Sequence, residues 1–340
     1  MLVSDLVNVR YLSGFTGSNA ALLIRADSAT PVLATDGRYR TQAAQQAPDT
    51  EIVIERACGP HLAARAAADG VRRLGFESHV VTVDACAALT KAAGDAVELV
   101  RAAGTVEALR EIKDAGEVAL LRLACEAADA ALKELVERGG LRQGRTEKEV
   151  GRELESLMLD FGADGASFET IVAAGANSAI PHHRPTDAVL AAGDFVKIDF
   201  GALVCGYHSD MTRTFVLSPA AQWQLDIYEL VAAAQRAGRE ALAPGATLKD
   251  VDAASRQVIA DAGYADNFGH GMGHGVGLQI HEAPGINALA AGTLLAGSAV
   301  TVEPGVYLPD RGGVRIEDTL VVGENAPDLL TRFPKELAIL

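Results

Sequence analysis

The sequence predicts a two-domain chain of the mixed α/β (α+β) class, on three observations. In the first hundred residues short apolar runs, AALLIR, PVLAT, EIVIE, RRLGF and AVELV, alternate with alanine-rich helical stretches, the pattern of a small α/β unit. Around Gly104 the pattern changes to apolar positions recurring at three and four, which predicts a long amphipathic helix. Beyond it the element order repeats: helix, helix and two hairpins, then helix, helix and two apolar hairpins. That is a duplication of architecture rather than of sequence, and it predicts two pseudosymmetric halves with a cleft between them.

Each element has a local reason. The long helix is expected over 106–138. Thr146 followed by Glu149 is a capping box that opens a second helix through Phe161. Ser218 with Pro219 starts a third, and Thr247 with Asp250 a fourth that ends at Gly263. The hairpins are expected over 167–217 and 276–322.

A chain of 340 residues can bury a sizeable core, and 49% hydrophobic with 22% charged residues is ordinary globular composition. The net charge of −15 argues against nucleic acid or an anionic membrane as partner, because both need a basic face. No segment approaches 18 uninterrupted apolar residues, and MLVSDLVNVR lacks the basic-then-apolar pattern of a signal peptide. Cys58, Cys86, Cys125 and Cys205 are scattered and form no CxxC, so reduced thiols in the cytoplasm are expected. No GxGxxG follows a strand, which gives no support to nucleotide binding.

The chemistry concentrates in GHGMGHGVGLQIHE, VTVEPGVY and VRIED, which carry His274, Glu303 and Glu317. Two more carboxylates lie upstream, Asp199 in FVKIDFG and Asp210 in YHSDMTRTFVL. Oxygen ligands with one imidazole suit Mn, Co, Fe or Zn. Four carboxylates in one apolar site repel each other unless cations hold them, and two divalent ions balance the charge. The natural reading is a two-metal hydrolytic centre. Either aspartate alone would more readily be a turn residue, and a lone histidine structural; the set of five carries the assignment. Inward positions of alternating strands would fix the ligand rotamers.

These residues carry a resemblance. NSAIPHHRP, DFVKIDFG, YHSDMTRTF, GHGMGHGVGLQIHE, VTVEPGVY and GGVRIEDT occur in the order found in the pita-bread metallopeptidases, the family of Xaa-Pro aminopeptidase, prolidase and methionine aminopeptidase. LVNVRYLSGFTGSNAALLI and TDGRYRTQA resemble the N-terminal domain of the aminopeptidase P and prolidase branch. The resemblance implies a creatinase-like α/β domain over 1–104 and a pita-bread catalytic domain over 105–340. The helix that precedes the first strand in that branch is missing here, so a truncated or late start is expected.

The resemblance also implies roles. His182 matches the family's active-site histidine, with His183 the lesser candidate. His281 matches the histidine that stabilises the tetrahedral intermediate or moves a proton, and Glu303 is the expected base. His270 would line the proline pocket or orient a ligand, and Arg315 would hold Glu317 or a substrate carboxylate, ligand orientation being preferred. Asp199, Asp210, His274, Glu303 and Glu317 would hold two divalent ions, Mn²⁺ first, with Zn²⁺ or Co²⁺ as alternatives. Phe168, Tyr207 or His208 would wall a pocket for the Xaa-Pro tertiary amide, whose ring needs its own site. Arg38 and Tyr39 would reach a neighbouring subunit's site or form a solvated turn, and a homodimer is expected. The implied activity is an Xaa-Pro aminopeptidase, with an Xaa-Pro dipeptidase as runner-up. A non-catalytic binding domain and a metal-free amidinohydrolase are the alternatives of another class.

Overall fold

The computed structural model describes residues 1–27 and 29–340, and its contacts divide the chain into units 1–110 and 111–340. The first unit is built on β1 (Leu2–Val3), β2 (Ala20–Leu23), β3 (Val32–Thr35), β4 (Glu51–Ile54), β5 (Arg73–Phe76) and β6 (Glu98–Arg101). Their order is β4-β3-β2-β1-β5-β6, with β2 antiparallel to both neighbours and the other pairs parallel. Alternate residues feed opposite faces, as a pleated strand requires. Leu2, Ala21, Leu23, Val32 and Ala34 pack with α3 (Cys58–Ala68) and α4 (Val83–Ala93). Val3, Leu22 and Leu33 pack with α1 (Leu6–Ser13) and α2 (Arg40–Gln46). All five expected apolar runs are strands; β1, only two residues long, was too short to register as a run.

The expected 106–138 helix is two. α5 (Glu107–Arg110) ends before α6 (Ala115–Glu137), because Asp114 caps the second: its carboxylate accepts from Glu117 N at 2.8 Å and Glu117 reaches back to Asp114 N at 2.9 Å. The division therefore falls at Arg110 rather than Gly104. Val106 belongs to an apolar cluster of the first unit, and the Arg110 guanidinium donates to Asn8 at 2.9 Å.

In the second unit α7 (Glu147–Asp160) opens on the expected box, with Thr146 Oγ1 accepting from Glu149 N at 3.2 Å. The third helix, α8 (Gln222–Glu240), starts four residues past Ser218, with Ala221 as its cap and Gln224 reaching back to Ala221 N. α9 (Leu248–Asp261) is capped by Thr247 as expected.

The first half carries β7 (Gly165–Ala166), β8 (Ile171–Ala174), β9 (Phe195–Phe200), β10 (Ala202–Val204), β11 (Tyr207–His208) and β12 (Met211–Val216). The second carries β13 (Gly273–Gly275), β14 (Glu282–Ile286), β15 (Ala299–Val302), β16 (Gly305–Leu308), β17 (Gly312–Arg315), β18 (Asp318–Val321) and β19 (Asp328–Leu329). One core joins α6 and α7 to β8, β9 and β12; another joins α8 and α9 to β15–β18. In β9, Val196, Ile198 and Phe200 enter the first core, so Lys197 and Asp199 lie on the opposite face. Among the described residues no helix is long and apolar enough to cross a membrane.

Just past β9, Gly201 meets the chain at close range: a Cβ there would lie 1.8 Å from the Ser209 carbonyl oxygen. We expect Gly201→Ala to lower stability by about 1–3 kcal/mol, the usual cost of overpacking. Gly165→Ala, where a Cβ meets nothing within 4 Å, should stay within about 0.5 kcal/mol in the same thermal unfolding measurement.

Candidate metal centre

Antiparallel register brings the acids together. β9 and β12 pair with Asp199 opposite Thr212, which sets Asp210 at the near end of β12. β15 and β18 pair with Val302 opposite Asp318, so Glu303 and Glu317 leave the end of the same ladder side by side. His274 is the middle residue of β13. A Cβ at Gly273 would lie 2.0 Å from Thr301 O, so glycine there is what lets β13 close on β15 and deliver the imidazole. The expectation that strand interiors carry the ligands holds for Asp199 and His274 only. Asp210, Glu303 and Glu317 sit at strand ends, where the ladder terminates and the side chains turn into the cleft.

All five expected ligands line one cavity of about 270 Å³, together with His182, His183 and His281. Asp210, His274 and Glu317 each offer an atom within 4.8 Å of the others, a grouping that fits a metal ion. His274 Nε2 lies 3.5 Å from Asp210 Oδ2 and 3.6 Å from Glu303 Oε1. Its Nδ1 is 3.0 Å from Gly275 O, and a carbonyl only accepts, so Nδ1 carries the proton and Nε2 keeps its lone pair for a ligand.

The electrostatics describe a site short of positive charge. Burial raises the Asp210 carboxyl well above its ordinary range, with Glu317, Asp199 and Glu303 adding to it. Burial likewise raises Glu317, with Glu303 and Asp199 contributing, and pushes Glu303 up to about 8. Asp199 Oδ1 is buried and without a hydrogen-bond partner among the described residues. An acceptor left unpaired among three reluctant carboxylates is what a cation would satisfy, so the residues present fit divalent metal. Burial holds the His274 imidazole down at about 4, which keeps it neutral and able to ligate.

Behind the acids runs a chain of supports. Arg315 donates from Nη2 to Asp199 Oδ2, from Nε to Thr212 Oγ1 at 3.0 Å and from Nη1 to the Tyr307 hydroxyl at 2.7 Å. Thr212 in turn donates to Glu317 Oε2 at 2.7 Å. The Tyr307 hydroxyl donates to His270 Nε2 at 2.8 Å, because His270 Nδ1 spends its proton on Gly271 O. Neither His270 nor Arg315 is part of the cavity lining: Arg315 bonds Asp199 and His270 Nδ1 stands 3.9 Å from Glu303 Oε2, so of the two roles expected for each the geometry favours ligand orientation over substrate contact. Of the three residues expected as pocket walls, one lines the cavity. Phe168 lines the cavity with Ile171 and Ile280, whereas Tyr207 donates to Glu117 and His208 pairs with Ser167.

His182 and His281 are exposed at the opening, above the buried acids. The His281 ring stands 4.4 Å from that of His274, and burial followed by His182 lowers its pKa. Its neighbour Glu282 is tied down by a buried Lys113 at 2.7 Å. Sequence reasoning missed Glu169 and Arg184, an ion pair at 3.1 Å in the lining, and the supports Thr212 and Tyr307. Thr212 and Tyr307 stand inside motifs already singled out, two residues after Asp210 and four after Glu303, and a polar residue at that spacing was the available signal. In the first unit Arg38 pairs with Asp36 at 2.8 Å and stacks on Tyr39, largely exposed.

Comparison with known proteins agrees with this geometry. Residues 119–324 match the model of metallopeptidase family M24, and residues 1–112 that of the creatinase/prolidase N-terminal domain. The Xaa-Pro dipeptidase of Pyrococcus furiosus is 43% identical over 68% of this chain and 66% of its own. The structure of an Xaa-Pro dipeptidase from Bacillus anthracis superposes with a TM-score of 0.95 at 39% identity, covering 100% of this chain and 94% of that one. The X-Pro aminopeptidase structure from Thermotoga maritima gives 0.91 at 32%, covering 100% and 97%. With both domains matched and the fold shared along its whole length, the chain belongs to metallopeptidase family M24, in the pita-bread branch that carries a creatinase/prolidase N-terminal domain.

Proposed function

We propose that this chain is an Xaa-Pro aminopeptidase, which frees the first residue from peptides with proline second. The observation that carries the reading is the charge of the cavity lining. It contains Glu169, Asp199, Asp210, Glu303 and Glu317, and among the described residues its one Lys or Arg is Arg184, exposed and already paired with Glu169. A peptide's free amino end suits such a lining. The carboxylate of a bare dipeptide would enter it with no unpaired Lys or Arg among the described lining residues to meet it, whereas a longer peptide carries that charge outside. The second reading, an Xaa-Pro dipeptidase, is favoured by the names of the Pyrococcus and Bacillus relatives.

Asp199, Asp210, His274, Glu303 and Glu317 are the residues that would hold two divalent ions. When bound, those ions would polarise the scissile carbonyl and make water nucleophilic near neutral pH. Glu303 takes the proton from the attacking water at its carboxylate oxygen. The exposed His182 and His281 meet the substrate, donating to the developing oxyanion and passing a proton to the proline nitrogen. Phe168, Ile171 and Ile280 exclude water from the reacting bond and offer apolar surface to the ring.

Asp210→Ala and Glu317→Ala are each expected to abolish hydrolysis and bound Mn²⁺ together. His182→Ala should lower kcat about 10²- to 10⁴-fold, the usual worth of a general acid-base group, with metal content retained. Loss of metal from His182→Ala would contradict its role. In a competition between Gly-Pro-Ala and Gly-Pro, the tripeptide should be cleaved preferentially; preference for the dipeptide would establish the second reading instead.

Metal-free protein should also be pH-sensitive in a stated direction. The Glu303 pKa rises from 4.5 to about 8 on folding, so the folded state holds a proton that the unfolded state has released. The stability this contributes is complete below about 4.5 and is lost as pH rises through 8. Thermal midpoints of chelator-treated protein should therefore fall between about pH 6.5 and 8, above the range in which the lowered His270 and His274 act in the opposite sense, and added Mn²⁺ should reverse the fall.

A further inference from the structure

His182 arrives in the cavity on a segment with little regular structure: after β8 only a short 3₁₀ turn, Gly175–Ala179, precedes it. One buried side chain gathers this segment. Glu147, the first residue of α7, is fully buried, and its carboxylate receives five donors. Oε1 accepts from Ala174 N at 2.8 Å and Asn177 Nδ2 at 2.9 Å. Oε2 accepts from His183 Nε2 at 2.8 Å, Thr186 N at 2.9 Å and Thr186 Oγ1 at 2.7 Å. Burial opposes this charge, and the donors more than offset it, holding the carboxyl below its ordinary range.

The donors lie on both sides of His182 in the chain, and His183, immediately next to it, is among them. From the other side Lys197 Nζ donates to Ile180 O at 2.6 Å, and Arg315 Nη1 to Pro181 O at 3.2 Å. Both arms of the segment are thereby pinned, and its apex carries the imidazole that lines the cavity.

We propose that Glu147 is a positioning residue for His182: by binding Ala174, Asn177, His183 and Thr186 it sets the path of the 174–186 segment and hence the place of the imidazole. The inference rests on the reading of His182 as the group that meets substrate. A carboxylate is required, because an acceptor-only group alone can serve donors on both oxygens. In Glu147→Gln one side becomes an NH₂ that cannot accept, so at least one backbone N–H, that of Ala174 or of Thr186, loses its partner.

The test is Glu147→Gln, alone and with His182→Ala, assayed on Gly-Pro-Ala with Mn²⁺ present. We expect kcat to fall about 10- to 100-fold in the single variant, the order of loss for a group displaced by about 1 Å, with KM and metal content unchanged. In the His182→Ala background the same substitution should cost less than about threefold, since the positioned group is already gone. Equal losses in both backgrounds would overturn the proposal and leave Glu147 a purely structural residue.

A second readout needs no activity. In protein with ¹⁵N-labelled histidine rings, the His182 resonance, identified by its loss in His182→Ala, should shift or split in Glu147→Gln, while those of His61 and His79 stay in place. An unmoved His182 signal would overturn the inference even if the chain hydrolyses Xaa-Pro peptides. A moved signal would support it even if the chain does not. Should Glu147→Gln fail to fold, Thr186→Val removes one donor and is read in the same way, with a smaller shift expected.

Discussion

Four carboxylates must share one largely buried pocket, and the catalytic unit is arranged around that constraint. Unionised, Asp210, Glu303 and Glu317 are tolerable neighbours; ionised, they repel each other in surroundings that cannot screen them. Arg315 offsets one charge and is committed to Asp199. Cations must offset the rest. The two halves of the unit are held to each other by the same groups, since Thr212 of the first half donates to Glu317 of the second and Thr319 of the second donates to Asp210 O of the first. Folding and metal occupancy are thereby linked, because every step that closes the halves also brings the acids together.

A division of labour follows from burial. The acids and His274 sit deep, where their geometry is set by strand register and by Thr212, Arg315 and Tyr307. His182 and His281 stand exposed at the opening, each next in sequence to a residue that a buried group holds. Lys113 holds Glu282 beside one, and Glu147 holds His183 beside the other. Exposed reactive groups on irregular backbone need such anchors, because few contacts of their own hold them in place.

The five residues that converge on the cavity were legible in the sequence because they occupy short motifs with polar residues placed against an apolar background. Asp199 was readable from the alternation of FVKIDF, and the helix N-caps from Thr146 and Thr247. What escaped was non-local. Glu147 was not singled out, since its five donors lie 27 to 39 residues away. For His270 and Arg315 both substrate contact and ligand orientation stayed open, because nothing in one dimension shows that Tyr307 lies between them, accepting from Arg315 and donating to His270. The break at Asp114 was hidden by an apolar period that runs on through it: the side-chain cap, not hydrophobicity, ends the preceding turn.

The most direct test is a metal count. Metal-free protein equilibrated with excess Mn²⁺ and freed of weakly held ions should retain two equivalents per chain, with protons released on binding as Glu303 and its neighbours ionise. Retention of no metal, with the carboxylates still protonated at neutral pH, would contradict a centre in which Asp199, Asp210, His274, Glu303 and Glu317 converge on a pair of cations.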